Sequence, residues 1–283
     1  MSARLTVPKT YKLAIGGAFP RSESGRTYEV TTPKGAFLAN AAQASRKDAR
    51  DAVKAARTAQ SGWAKATAYN RGQVLYRVAE VLEGRRAQFV DEIMAQQGVS
   101  AAAAGAQVDE AIDLWVWYAG WCDKYAQVAG NLNPVAGAYF NISAPEPTGV
   151  VAIIAPQEDA LRGLVSVVAP ALVAGNAVVV VGSERFPLSA ISLAEVLATS
   201  DVPGGVVNVL TGSPAELAPW MASHADVNAL DLAGAGGIDW VDLQIAAADT
   251  LKRVLPPGEV VASPQRIAAF TEVKTVWHPK SMV

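Results

Sequence analysis

The sequence predicts an α/β protein: a Rossmann-like parallel sheet with helices on both faces, preceded by N-terminal helices and followed by a β-rich tail. Two observations carry this. Short, largely apolar runs recur from residue 150 onward, as VVAIIA, AVVVV, VVNVL and VNALDL. Longer helix-like segments separate them, namely RGLVSVVAPALVAG, LSAISLAEVLAT and AELAPWMASH. Apolar strands alternating with helices imply parallel pairing and a sheet covered on both sides. With 283 residues and 51% hydrophobic content, the chain can fill such a core.

The first 40 residues alternate β-like runs (YKLAIGG, RTYEV) with the breakers GGAFP and TTPKG. From Arg46 a helix is expected, with Ala49, Val53, Ala56 and Ala59 near one face. Asn70 precedes a longer helical stretch whose Val74, Leu75, Val78, Val81 and Leu82 recur at spacings of 3 and 4, with Gly98 as its stop. A third helix is expected over 106–127, and its Trp115, Trp117, Tyr118 and Trp121 read as core or interface packing. NPVAGAYFNISAPEPTG then reads as an extended ribbon bounded by Pro134, Pro145 and Pro147. After the fourth apolar run, IDWVDLQIAAADTLKRVL can make one helix, PPGEVVASPQ a loop, and RIAAFTEVKTVWH a β-rich tail.

Several function classes are disfavoured. Net charge is −2, and the basic residues are scattered, which argues against a nucleic-acid surface. No apolar run reaches the roughly 20 residues of a membrane span, and the N-terminus does not read as a signal peptide. The single Cys122 excludes an internal disulfide, and His224 and His278 are isolated. The expectation is a cytoplasmic protein that contacts neither membrane nor nucleic acid.

In order along the chain, WYAGWCDK (117–124), EPTGVVAIIAP (146–156), APALVAGNAVVVVGSE (169–184), VPGGVVNVLTG (202–212), HADVNALDLAGA (224–235) and FTEVKTVW (270–277) resemble signatures of the aldehyde dehydrogenase superfamily. The resemblance implies a dinucleotide-binding-like part over 1–133 and 148–262, and an oligomerisation ribbon and tail over 134–147 and 263–283. It also implies where function would sit. Family members attack an aldehyde with a cysteine thiolate, pass hydride to NAD(P)+, and hydrolyse the thioester with water activated by a glutamate. An asparagine side chain helps to hold the oxyanion.

The departures from that pattern are specific. Glu158 matches the asparagine, in PQEDA where the family commonly has PWNFP; a carboxylate there repels an oxyanion. Val181 matches the lysine that binds the adenosine ribose, and Gly182 the proline after it. Leu232, Ala233, Gly234 and Ala235 match a phenylalanine-threonine-glycine-serine stretch near the nicotinamide. From Gly237 to the tail too few residues remain for the lobe carrying the catalytic cysteine. Cys122 matches a position that is commonly alanine and reads as a small buried residue.

The remaining candidates are vestigial. Ala155, Pro156, Val181, Ser183, Glu184, Gly212, Ala233 and Gly234 line the implied cofactor crevice, but no GxGxxG cradle is present. No cofactor is therefore expected, with weak NAD binding as the exception. Glu158 and Asp159 read either as an acid/base pair or as helix-capping carboxylates. Ser183 reads as a helix cap, His224 as a helix end, and Ala233–Gly237 as a turn replacing the lost lobe. Tyr139, Phe140, Phe270, Val273, Thr275 and Trp277 are assigned to oligomerisation. On one strand face lie Thr271, Val273, Thr275 and Trp277; on the other lie Phe270, Glu272, Lys274 and Val276. Relatives pair this strand and the ribbon with neighbouring subunits, although the tail could also fold onto its own ribbon.

These expectations combine into a catalytically silent aldehyde dehydrogenase homologue whose role is assembly, with itself or with a full-length aldehyde dehydrogenase. Three alternatives stand beside it: a regulatory subunit binding an NAD-type nucleotide, an NAD(P)-dependent aldehyde oxidoreductase as the family resemblance implies, and an enzyme working through Glu158 or Asp159.

Overall fold

A computed structural model describes residue 5 and residues 7–280. A hairpin opens the described chain, β1 (Thr27–Thr31) and β2 (Phe37–Ala42), followed by four helices: α1 (Arg46–Lys65), α2 (Ala68–Gly84), α3 (Arg86–Gln97) and α4 (Ala101–Trp121). A short α5 (Tyr125–Ala129) leads to β3 (Asn131–Asn133) and β4 (Tyr139–Pro147). The alternating part runs β5 (Val150–Ile154), α6 (Arg162–Val173), β6 (Ala177–Val181), α7 (Leu188–Ala198), β7 (Val207–Leu210), α8 (Pro214–Ser223), β8 (Ala229–Asp231), α9 (Trp240–Ala248) and β9 (Arg253–Leu255). Helix α10 (Pro264–Ala268) and β10 (Thr271–Pro279) close it.

The main sheet is parallel throughout, in the order β7-β6-β5-β8-β9. Side chains alternate between its two faces even in β5 and β6, which are wholly apolar. Val150, Ala152, Ile154, Val179 and Val181 pack under α1, α8 and α9, where Ala49, Val53, Ala56, Leu217, Met221 and Leu243 meet them. Val151, Ile153, Val178 and Val180 face the other way, into a core with α2, α3, α4, α6, α7 and α10. Each fully buried Val, Ile or Leu contributes about 1.5–3 kcal/mol relative to exposure, so the doubly covered strands anchor the fold.

Several boundaries differ from the sequence reading. The stretch after Asn70 is two helices capped by Thr67, with a break at Arg85, where φ is −108° and ψ is 10°. Helix α4 starts in the alanine run, capped by Ser100, and stops at Trp121. Of its aromatics, Trp115 and Tyr118 are buried and Trp117 is partly exposed. YKLAIGG makes only isolated bridges, including Ala14 to Val209. The segment read as one helix to Leu255 ends as α9 at Ala248. Leu251 then reverses the chain with φ at 54°, and Arg253–Leu255 adds a fifth strand beside β8. Ala233–Gly237 is only the turn from β8 into α9, whereas the abbreviated passage from sheet to tail falls after β9.

A separate antiparallel sheet, β10-β4-β3, forms the ribbon. The tail thus folds onto its own ribbon, with Val276 facing Ile142 and Thr275 facing Ser143. Pro145 and Pro147 lie inside β4 rather than bounding it. They are tolerated because β3 pairs only with Asn141–Ser143, so the missing N–H groups cost no ladder bond. Gly149 turns the chain from ribbon to sheet at φ 131°, where a Cβ would strike the Asn228 side chain. Asn176 pins the junction: its amide donates to the Phe270 and Ala171 carbonyls, each at 2.9 Å, and accepts from Gly149 N at 2.8 Å.

Phe270 is corrected by this geometry. It is fully buried between α10 and the sheet core, so it is a core residue and not part of an oligomerisation face. The short α10 turns the chain inward just before β10, and that turn is invisible to a period-two reading.

Candidate functional site

Ligands of parallel α/β sheets bind beyond the carboxyl ends of the strands. Here those ends are occupied by the chain's own groups. Gln157, just past β5, donates through Nε2 to the Ala155 carbonyl at 2.6 Å and accepts at Oε1 from Glu184 N at 2.9 Å. Its own carbonyl accepts from Ser183 Oγ at 3.1 Å. This side chain therefore bridges the ends of β5 and β6. Ser183 also accepts from Phe186 N at 3.2 Å, capping the turn rather than α7, whose N-cap is Pro187.

Asp159 occupies the start of α6. Its Oδ1 accepts from Leu161 N at 3.1 Å and Gly163 N at 2.7 Å, taking up amides that a phosphate would use. Burial pushes its carboxyl above the ordinary range, opposed by those amides and by Arg162. Glu158 points outward, 3.7 Å from Arg185. Of the two sequence readings, Asp159 takes the capping one, and the carboxylates do not converge as an acid/base pair.

The other strand ends are equally filled. Gly234 N donates to the Ile154 carbonyl at 2.9 Å, and the backbone there lies so close to the Ala155 carbonyl that no Cβ would fit. Ala233 N donates to Asp231 Oδ1 at 3.1 Å. Asp231, fully buried at the end of β8, pairs with Arg266 of α10, a partnership not legible in the sequence. Past β7, Thr211 donates to the Ala42 carbonyl at 2.5 Å and its carbonyl accepts from Ala44 N at 2.8 Å, stitching the hairpin over that end. Gly212 sits against the same link. Val181 is fully buried and offers no side-chain donor. The structure thus gathers Ala155, Pro156, Ser183, Glu184 and Gly234 around Gln157. It leaves Val181 in the core and Gly212 on the hairpin.

Cys122 is 3% exposed, and its Sγ lies 3.7 Å from the Tyr118 carbonyl. Burial pushes its thiol up to about 12, despite the nearby Arg71 guanidinium. A nucleophilic cysteine needs the opposite shift. Among the described residues, no group of three or more His, Cys, Asp and Glu side chains could hold a metal ion. No helix among them is long and apolar enough to cross a membrane.

A model of the aldehyde dehydrogenase family matches residues 19–255. The chain belongs to the aldehyde dehydrogenase family. The match ends at the last residue of β9, where the abbreviated passage begins. Cytosolic 10-formyltetrahydrofolate dehydrogenase of Mus musculus is 31% identical over 259 residues, 89% of this chain and 28% of that protein. Mitochondrial aldehyde dehydrogenase family 2 member B4 of Arabidopsis thaliana is 33% identical over 247 residues, 86% of this chain and 45% of that protein. Among solved structures, HpcC from Thermus thermophilus superposes with a TM-score of 0.81 at 30% identity, over 88% of this chain and 48% of that one. An NAD+ complex of aldehyde dehydrogenase from Bacillus cereus gives 0.80 at 27% identity, over 87% and 50%. This family member therefore spans about half, or less, of the length of these relatives.

The ribbon is the second candidate surface of this aldehyde dehydrogenase family chain. Directly opposed residues of an antiparallel sheet share a face. One face carries the row Leu132, Ile142 and Val276, with Phe140 beside it, all largely exposed. The opposite face carries Val273, and Trp277 edge-on to Tyr139 at 5.8 Å, above hydrogen-bonded Ser143 and Thr275. Five of the six predicted oligomerisation residues lie here; Phe270 does not.

Proposed function

We propose that this chain is a catalytically silent aldehyde dehydrogenase homologue that acts as an assembly subunit, with itself or with a full-length aldehyde dehydrogenase. The observation that carries the reading is the ribbon, a three-stranded sheet that exposes aliphatic and aromatic side chains on both faces. Contiguous exposed apolar surface of this kind marks an interaction site. The outer side of α9 adds Val241 and Ile245, one helical turn apart and both exposed.

Silence is supported by the strand-end crevice. The residues present do not fit a dinucleotide. Gln157 spans the gap between β5 and β6, Asp159 takes the α6 amides, and Val181 offers no donor. Glu158, Asp159 and Glu184 would oppose a pyrophosphate. The only thiol is buried and held protonated.

Co-expression with full-length aldehyde dehydrogenases, followed by mass measurement by light scattering, tests the assembly half. A complex or a homo-oligomer is expected; a strict monomer in every mixture removes the reading. The purified chain should form no NADH from an aldehyde and NAD+, and titration calorimetry with NAD+ should give no heat at millimolar ligand. Turnover by the chain alone would defeat the silent half.

A further inference from the structure

We infer that β10 pairs with β10 of a second copy of this chain, antiparallel, across a two-fold axis at Thr275. This rests on the assembly reading and names its partner and register.

Which β10 groups are free follows from the in-chain ladder. The Phe270 carbonyl accepts from Thr148 N at 3.1 Å, and Lys280 N donates to the Ala138 carbonyl at 2.8 Å. Given the register between the strands, even-numbered residues of β10 therefore bond to β4, and odd-numbered ones turn their N–H and C=O outward. Both ends of this outer row are already stopped. Arg253 Nη1 donates to the Thr271 carbonyl at 2.8 Å, and Pro279 has no N–H. What remains is Val273, Thr275 and Trp277, a row centred on Thr275 and exposed along its length.

A row of three centred on one residue suits a symmetric partner. With the axis at Thr275, Val273 faces Trp277 of the other copy and Thr275 faces its own equivalent. Each facing pair exchanges two hydrogen bonds. β-Branched against aromatic and Thr against Thr are favourable cross-strand pairs. Glu272 then faces His278, so a carboxylate accepts from an imidazole N–H on both sides of the axis.

Neighbouring registers are worse. An axis at Lys274 sets two ammonium groups face to face. One at Val276 places Val273 against Pro279, which cannot donate. One at Val273 faces Thr271, whose carbonyl Arg253 already holds, and strands the outward groups of Trp277. Among the described residues the main sheet offers no rival of this kind: its β9 edge has three residues, and its β7 edge is already bridged by Ala14 at Val209.

Cysteine cross-linking reads the register, because the single native thiol, Cys122, is buried. Facing residues in a bonded antiparallel pair have Cα atoms about 5.5 Å apart, within the roughly 4.4–6.8 Å that a disulfide spans. Thr275→Cys should give a covalent dimer as the main product of mild oxidation. Val273→Cys alone should stay monomeric on a non-reducing gel, since the two sulfurs would lie about 13 Å apart along the strands. Mixing Val273→Cys with Trp277→Cys should restore the cross-link. Val273→Pro removes an outward N–H without touching the β4 ladder and should abolish the dimer in sedimentation. If the wild-type chain is dimeric but Thr275→Cys does not cross-link, the inference is overturned while the assembly reading stands. Association only with a full-length relative has the same meaning. A monomer alone and in every mixture overturns both.

Discussion

Truncating Phe270 and Trp277 separately should split stability from assembly, although the two residues are seven positions apart on one short segment. Phe270 has no exposed surface, and its ring lies 5.6 Å from the Arg266 guanidinium. Its backbone carbonyl is held by Asn176 and Thr148, so the main chain cannot relax far into a cavity. Phe270→Ala should therefore cost about 3–5 kcal/mol, the range for burying-to-cavity changes of this size. With an unfolding slope of about 3 kcal/mol per molar urea, the midpoint should fall by roughly 1–1.7 M. Trp277 is 58% exposed and touches Tyr139 only at its edge. Trp277→Ala should change the stability of the monomer by less than about 0.5 kcal/mol while weakening association. Urea titrations followed by tryptophan fluorescence, run at several protein concentrations to separate association from folding, measure both. A loss below 1 kcal/mol in Phe270→Ala, or an association defect with unchanged stability there, would refute its placement in the core.

Two further outcomes are expected. Burial tends to raise the Glu195 carboxyl, but Lys9 at 2.8 Å and Arg85 at 2.8 Å outweigh it and hold the group below its ordinary range. A depressed folded-state value stabilises above the unfolded one and loses that contribution as pH falls through the folded value. Glu195→Gln should thus flatten the stability profile below about pH 4.5, at a cost near 1 kcal/mol at pH 7 because the pair is partly solvated; an unchanged acid limb in thermal melts would argue against it. Cys122, with its thiol pushed up to about 12, should react with an aromatic disulfide reagent at pH 8 far more slowly in the native chain than in urea; equal rates would contradict its burial.

The sequence made four strands of the central sheet legible because they are short, largely apolar and separated by helices of adequate length. It hid β9, since three residues after a helix carry no period, and nothing local distinguishes Arg253–Leu255 from a last helical turn. The break at Arg85 was hidden although Gly84 before it is a poor helix former, because the helical spacing of apolar residues runs up to it and resumes beyond it. At the site, Asp159 was legible as a cap because its partners are two and four residues away. Gln157 was not, because its decisive partner, Glu184, is 27 residues distant. The Asp231–Arg266 pair spans 35 residues and two elements, so only the packed chain reveals it. Phe270 belonged by alternation to the ribbon and by burial to the core, and long-range packing decided between them.

The two prolines of β4 have a consequence for how far any such complex can spread. They blunt the side of the ribbon away from β10, where β3 offers just three residues to a newcomer. A strand joining at β10 therefore meets a terminus on the far side, and end-to-end polymerisation into fibres has nowhere to continue. The same short, proline-flanked margin that looks like a defect in the sheet sets a ceiling on its size.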